Sequence, residues 1–172
     1  MRSQILQEAH GSRTFALVFE TGDEMVAGLR DFARQHDLSA AQITGIGAFS
    51  DVVLKYFDWE RKEYQEIPVR EQVEVASLLG DVAASAEGPV VHVHLVIGKR
   101  DGSAMAGDVA QAHVRPTLEV VLTETPAHLH RQHDPESGLA LIRPSRESPA
   151  RKNPADAPSS SSVPADANNR VR

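Results

Sequence analysis

The chain has 172 residues, 41% of them hydrophobic, no cysteine, and a formal charge of −6 from 18 Lys/Arg and 24 Asp/Glu. This length predicts one domain with a full hydrophobic core. The lack of cysteine excludes disulfides, thiolate zinc sites and a cysteine nucleophile within these residues. No apolar run approaches the roughly 20 residues of a membrane helix, and the first ten residues lack the apolar region of a signal peptide. We therefore expect a cytoplasmic protein without a membrane partner.

The charge is divided unevenly between a globular domain, residues 1–142, and a tail, residues 143–172. The tail holds five of the ten prolines, six serines and two large aliphatic residues, and this composition predicts a disordered extension. It carries six Lys/Arg and three Asp/Glu, whereas the domain carries 12 and 21 and has a net charge of −9. The alternative for the tail is a weak basic arm for nucleic acid, although its positive charges are scattered. DNA is therefore a disfavoured partner.

The predicted elements begin with two strands, 5–9 and 13–20, separated by a His-Gly-Ser turn. The Thr-Gly-Asp-Glu sequence that follows matches a capping box, with Thr21 as the cap and Glu24 reaching back. Apolar residues at helical spacing then predict one amphipathic helix as far as about His36. These residues are Met25, Val26, Leu29, Phe32 and Ala33.

The rest of the domain is predicted as strands divided by short polar or charged turns. The strands cover residues 42–50, 52–59, 64–69, 72–82, 90–98, 109–114, 117–125 and 139–142. Pro68 favours an edge position or an early stop for the third of them. One main amphipathic helix with about six to eight strands predicts an α+β fold built on a largely antiparallel central sheet.

The strongest chemical signal is the run Val-Val-His-Val-His-Leu-Val-Ile at residues 90–97. Alternate side chains of a strand share a face, so the aliphatic residues form the core side and His92 and His94 lie together on the other side, about 7 Å apart. Two imidazoles at this spacing provide half of a site for zinc or a similar divalent metal. The alternative is a pair of polar residues on a solvated or subunit-facing surface.

A third ligand would come from a neighbouring strand. If residues 99–102 form a hairpin turn, Asp108 and His113 both return antiparallel to His92 and His94. His113 is thus a reserve ligand or an acid/base group, and its alternative is a strand histidine that is hydrogen-bonded to a neighbour.

The remaining polar candidates have weaker support. Glu119 lies on the polar face of its strand beside Thr117, where it is a ligand, a general base or, more commonly for such a carboxylate, a subunit-contact residue. The histidines at 128, 130 and 133 lie beside charged residues and a proline, and we interpret them as a solvated surface cluster.

Gly45 and Gly47 resemble a phosphate loop only superficially. A dinucleotide fingerprint needs a third glycine that opens a helix, whereas these two lie in strand-like sequence. We therefore expect no nucleotide cofactor, and we assign both glycines a structural role in a bulge or a close backbone approach.

Four segments together resemble the PPC domain, the plants and prokaryotes conserved domain that was long classed as a domain of unknown function. They are residues 43–51, the His-x-His strand, Asp101-Gly102 and residues 114–122. The resemblance extends from about Arg13 to Leu129 and points to the stand-alone bacterial type. It implies a compact α+β domain with a central antiparallel sheet that assembles as a homotrimer.

The resemblance also implies a metal site. Several prokaryotic members bind metal through the His-x-His pair and a histidine in a Gly-Gly-His segment, which here reads Ala106-Gly107-Asp108. His92 and His94 carry over directly, and Asp108 occupies the third position, where a carboxylate is still able to ligate zinc.

Plant members join this domain to an AT-hook, and this chain contains no AT-hook sequence. The alternative function is therefore a DNA-associated or regulatory assembly module related to the plant proteins but without the hook. Neither the substrate nor the occurrence of catalysis is predicted by the sequence.

Overall fold

A computed structural model describes residues 1–126 and 128–144 of the chain. These residues form nine strands and one helix: β1 (Arg2–Ala9), β2 (Ser12–Glu20), α1 (Met25–Gln35), β3 (Ala40–Asp58), β4 (Glu63–Val69), β5 (Val73–Ser85), β6 (Gly88–Gly98), β7 (Ala104–Glu124), β8 (Arg131–His133) and β9 (Ala140–Ile142). All of the predicted tail after Pro144 lies outside the described residues, so its disorder stays a prediction.

Seven strands form one antiparallel sheet in the order β1-β2-β7-β6-β5-β3-β4. Strand β7 also pairs with β3, so β3, β5, β6 and β7 are joined in a closed cycle of neighbours. Strands β8 and β9 form a separate two-stranded hairpin. The predicted α+β class, with one helix and a central antiparallel sheet, is confirmed.

The sequence predicts two separate strands in place of β3 and two in place of β7, the two longest strands of the sheet. The predicted strands 42–50 and 52–59 are one strand, β3, which ends at Asp58, and the predicted strands 109–114 and 117–125 are one strand, β7, which ends at Glu124. Asp51 in β3 and Arg115-Pro116 in β7 separate the predicted halves but do not end the strands, because bulges let a strand bend while it stays paired. The pairing of β3 with β7 changes register between Gly47 and Phe49, between Phe49 and Asp51, and between Val53 and Leu54. The β8 strand was not predicted.

Helix α1 has a different cap from the predicted one. Glu24 is the N-cap, and its carboxylate accepts hydrogen bonds from the backbone N–H groups of Val26 and Ala27, at 3.1 and 2.6 Å. The hydroxyl of Thr21 instead donates to the carbonyl oxygen of Pro116 in β7, at 3.1 Å. The predicted amphipathic pattern is confirmed, because the buried residues of the helix are Met25, Leu29, Phe32 and Ala33.

The hydrophobic core lies between the inner face of the sheet and α1, which packs against β6 and β7. Phe15 of β2 contacts Phe32 of α1 edge to face, with ring centroids 5.1 Å apart. Pro68 lies in the edge strand β4, as its missing N–H predicts. Among residues 1–126 and 128–144, no helix is long and apolar enough to cross a membrane.

Candidate metal centre

His92 and His94 lie side by side on the outer face of β6. Val93 and Leu95 alternate with them and are buried in the core, and the two-residue period of a strand therefore directs both imidazoles outward. Their ring centroids are 4.9 Å apart, and the rings are nearly perpendicular, at 86°. The sequence alone predicted this placement.

The β6–β7 hairpin brings Asp108 to the two histidines. Asp108 lies directly opposite His94 in the antiparallel register, and one metal-binding atom from each of His92, His94 and Asp108 lies within 4.8 Å of the others. Ligands about 2.1 Å from a tetrahedral ion are roughly 3.4 Å apart. Small side-chain rotations would therefore bring the three groups to one divalent ion, and their imidazole and carboxylate atoms are ligands that zinc accepts.

Asp108 is only 7% exposed, so its carboxylate needs partners. Its Oδ1 accepts a hydrogen bond from the N–H of Val109 at 2.7 Å, and its Oδ2 lies 3.2 Å from the Lys55 ammonium and 3.8 Å from Nε2 of His92. Gly107 permits the close crossing of β7 over β3, because a Cβ there would lie 2.9 Å from the carbonyl oxygen of Lys55. The Asp108 oxygen that faces His92 is thus the one neutralised by Lys55.

Tyr64 of β4 lies on the Lys55 side of the cluster. The Lys55 ammonium is 4.6 Å from the centroid of the Tyr64 ring. Burial, followed by the negative charge of Asp108, raises the pKa of the Tyr64 phenol above its ordinary value. Tyr64 therefore stays a neutral O–H donor beside the carboxylate at physiological pH.

A second carboxylate lies on the opposite side of His92. Asp81 of β5 is directly across from His92, with its Oδ2 3.7 Å from Nδ1 of the imidazole. Nη2 of Arg131 donates to both oxygens of Asp81, at 2.7 and 3.0 Å. Burial raises the pKa of Asp81, but the interactions with His92 and Arg131 outweigh it and leave that pKa below its ordinary value.

Sequence reasoning missed four residues around the cluster: Lys55, Tyr64, Asp81 and Arg131. They lie on β3, β4, β5 and β8, and none of these strands carries a candidate ligand. Only Asp81 had an available signal, because a β5–β6 hairpin through the turn before Gly88 places it opposite His92.

His113 is not brought to the other three residues. It lies opposite Asp51 in the β3–β7 register, and its Nδ1 is 2.7 Å from Oδ1 of Asp51. The hydrogen bond with His113, helped by one from the hydroxyl of Ser50, lowers the pKa of Asp51 despite partial burial. His113 therefore belongs to a separate acid–base pair in this structure.

Thr117 and Glu119 are on the outer face of β7 but outside the three-residue cluster. The Thr117 hydroxyl donates to the carbonyl oxygen of Phe19 at 3.1 Å. Glu119 is exposed and pairs in register with Val18 and Ile46. Its neighbours are thus apolar, whereas a metal ligand would need other donors beside it.

Two further predictions concern the histidine cluster after β7 and the two glycines of β3. His128, His130 and His133 are exposed, and Nδ1 of His128 is 2.6 Å from the Ser39 hydroxyl. In β3, a bulge in the pairing with β5 falls between Gly45 and Gly47.

The fold and the cluster together define a class: a small α+β protein with an antiparallel sheet and an imidazole–carboxylate cluster on its outer face. The family model of the Plants and Prokaryotes Conserved (PCC) domain matches residues 6–126. The chain belongs to this family. PCC and PPC abbreviate the same domain name, so the resemblance to the PPC domain is confirmed.

Solved structures agree with this assignment. A metal-containing protein from Archaeoglobus fulgidus is 31% identical, with a TM-score of 0.71 over 76% of this chain and 93% of that chain. A plant- and prokaryote-conserved protein from Pyrococcus horikoshii is 26% identical, with a TM-score of 0.72 over 85% and 97%. A protein from Bacteroides thetaiotaomicron, described as a candidate DNA-binding protein, is 25% identical, with a TM-score of 0.73 over 82% and 96%. None of the curated proteins compared matches this chain.

Proposed function

We propose that this chain is a homotrimeric metal-binding member of the PCC family in which His92, His94 and Asp108 hold a divalent ion such as zinc. The observation that carries the proposal is the convergence of these three side chains, from two strands, within 4.8 Å. The description of the Archaeoglobus fulgidus relative as a metal-containing protein supports it.

The arrangement suits a site that remains open to a ligand. Three protein groups leave a coordination position free, and a divalent ion supplies Lewis acidity for bound water or a carbonyl group. His94 is the most exposed of the three residues, so access is from solvent. On the Asp108 side, Lys55 and Tyr64 would offer a positive charge and an O–H donor to an anionic or carbonyl ligand.

We expect protein purified without a histidine tag to contain, or to take up, about one divalent metal ion per chain. His92→Ala should lose this metal, because two ligands do not complete a site. His130→Ala is the matched control, since His130 is exposed and outside the cluster, and it should keep the metal. Metal analysis by inductively coupled plasma mass spectrometry measures both. Wild-type protein that holds no metal and takes up none would contradict the proposal.

An exposed apolar patch supports the homotrimer. Ile46, Leu79 and Val121 are 62%, 56% and 42% exposed and lie on the three neighbouring strands β3, β5 and β7. Contiguous apolar surface of this kind marks protein interfaces. Leu79 is directly opposite His94, so the patch borders the metal cluster. Glu119 lies beside Ile46 and would be a subunit-contact residue.

Ile46→Glu should convert the trimer to a monomer, because a carboxylate buried at each subunit contact is costly without a partner. Light scattering coupled to size-exclusion chromatography gives the mass directly. Leu141→Glu, at an exposed apolar position of β9, should leave the trimer intact. A wild-type monomer at micromolar concentration would refute the assembly part of the proposal.

The second candidate is a DNA-associated or regulatory assembly module. The description of the Bacteroides thetaiotaomicron protein favours it, whereas the −9 charge of residues 1–142 opposes DNA binding by the domain itself. This function requires salt-sensitive DNA binding that disappears when residues 143–172 are removed. Both candidates keep the predicted cytoplasmic location.

A further inference from the structure

We propose that Asp81 and Arg131 are positioning residues for the metal site: Asp81 orients His92, and Arg131 of the β8–β9 hairpin fixes Asp81. The inference rests on the proposed metal function and adds two residues to it. Arg131 lies beyond residues 6–126, the part matched by the family model. The geometry of the metal centre would therefore depend on a segment that follows the matched domain.

The His92 ring lies between two carboxylates. Its Nδ1 is 3.7 Å from Oδ2 of Asp81, and its Nε2 is 3.8 Å from Oδ2 of Asp108. A neutral imidazole carries a proton on only one nitrogen. A proton on Nδ1, facing Asp81, leaves the lone pair of Nε2 directed toward Asp108 and the candidate metal position. Metal-bound histidines usually donate their other ring N–H to a carboxylate in this way.

The 3.7 Å separation is longer than a direct hydrogen bond. A small rotation of the ring or a bridging water would complete the contact. For this contact to orient the ring, Asp81 itself must be held in place.

Arg131 provides that restraint. Its Nη2 donates to both oxygens of Asp81, and its Nη1 donates to the carbonyl oxygen of Ala140 at 2.9 Å. The Arg131 side chain is 8% exposed, so it has little freedom to move away. Its Nε is buried without a hydrogen-bond partner among the described residues.

The hairpin is attached to the strand that carries Asp81. The N–H of Ala84 in β5 donates to the carbonyl oxygen of Leu129 at 2.8 Å, and Ala84 also forms a parallel bridge with His130. Arg143 joins the two strands of the hairpin, because its N–H donates to the carbonyl oxygen of His130 at 2.9 Å and its guanidinium forms an ion pair with Asp134 at 2.6 Å. Arg131 is therefore fixed relative to Asp81 by backbone contacts as well as by its own hydrogen bonds.

A double-mutant cycle on zinc affinity, measured on the full chain by competition with a chromophoric chelator, tests this proposal. Asp81→Asn keeps the shape of the side chain but removes its charge, and we expect affinity to fall about 10–100-fold. Arg131→Gln should weaken binding by a smaller factor. The double variant should bind no more weakly than Asp81→Asn alone, because Arg131 acts only through Asp81. Arg143→Gln breaks the other hairpin ion pair and should leave affinity unchanged.

The tautomer of His92 provides a readout that a purely structural role would not alter. Nitrogen NMR of the metal-free protein should show the proton on Nδ1 in the wild type and a larger population with the proton on Nε2 in Asp81→Asn. Arg131→Lys, which keeps the charge but loses the two-point contact, replaces Arg131→Gln if that variant does not fold.

The outcomes separate the two proposals. Wild-type protein that binds no zinc overturns the metal function. Wild-type protein that binds zinc, with Asp81→Asn within twofold of it and with an unchanged tautomer, overturns the positioning role alone and leaves the metal site in place.

Discussion

Asp108→Asn should lower the zinc affinity more than about a hundredfold, beyond the effect expected of residues that only support a ligand. The substitution removes the charge of the only carboxylate among the three candidate ligands, while keeping the size of the side chain and the oxygen that accepts from the Val109 N–H. It also leaves the Lys55 ammonium, now 3.2 Å from the carboxylate, as an unneutralised charge that repels a dication. Zinc titration in competition with a chelator, at fixed pH and ionic strength, measures the change.

Asp101→Asn is the matched control. It makes the same change of charge on the turn between β6 and β7, where the Asp101 carboxylate accepts from the N–H and hydroxyl of Ser103 at 2.9 and 2.6 Å. Its zinc affinity should stay within about twofold of wild type, because an exposed charge outside the cluster is screened. If Asp108→Asn also binds like wild type while His92→Ala does not, Asp108 is not a ligand.

The pairing of Asp108 with Lys55 explains how the domain accommodates a mostly buried carboxylate. The Lys55 ammonium lies 3.2 Å from Oδ2 of Asp108, the oxygen that is also 3.8 Å from Nε2 of His92. A buried charge beside an opposite charge costs far less than an isolated one. Lys55 of β3 therefore offsets part of the cost of burying Asp108 next to the two histidines.

The positions of the candidate ligands followed from local sequence, whereas their surroundings did not. The alternation around His92 and His94 fixed the face of β6, and a short hairpin turn placed Asp108 opposite His94. Lys55 and Arg131 arrive through the long-range pairing of β3 with β7 and through the docking of the last hairpin on β5. Such contacts depend on packing between distant segments, which spacing along the chain does not encode.

The distinction between local sequence signals and contacts between distant segments also applies to the fold. The amphipathic helix and the strand pattern were predictable because each depends on the periodicity of neighbouring residues. The continuity of β3 and β7 was not, since it depends on bulges formed where the two strands cross. The helix cap differs from prediction for a similar reason, because a contact with Pro116 in β7 holds the Thr21 hydroxyl.

Gly47→Ala should destabilise the domain by about 2–4 kcal/mol, the sum of a strained backbone and an overpacked contact. Gly47 has φ of +154°, and a Cβ there would contact the carbonyl oxygen of Thr117 and lie 2.7 Å from Cα of Leu118. Both atoms belong to the backbone of β7, so they cannot move aside as a flexible side chain would. Relief of the clash would weaken the β3–β7 pairing that closes the cycle of strands. Urea unfolding followed by circular dichroism gives the free energy of unfolding.

Gly98→Ala is the control for this experiment. Gly98 ends β6, its φ is outside the left-handed region, and a Cβ there would meet no atom within 4 Å. The change should be within about 0.5 kcal/mol of wild type, with a small gain from the less flexible unfolded chain. Equal unfolding midpoints for the two variants would show that the fold does not require the close approach of β3 to β7. A large loss of stability in Gly47→Ala alone would show that the close approach of the two strands at Gly47 stabilises the pairing of β3 with β7.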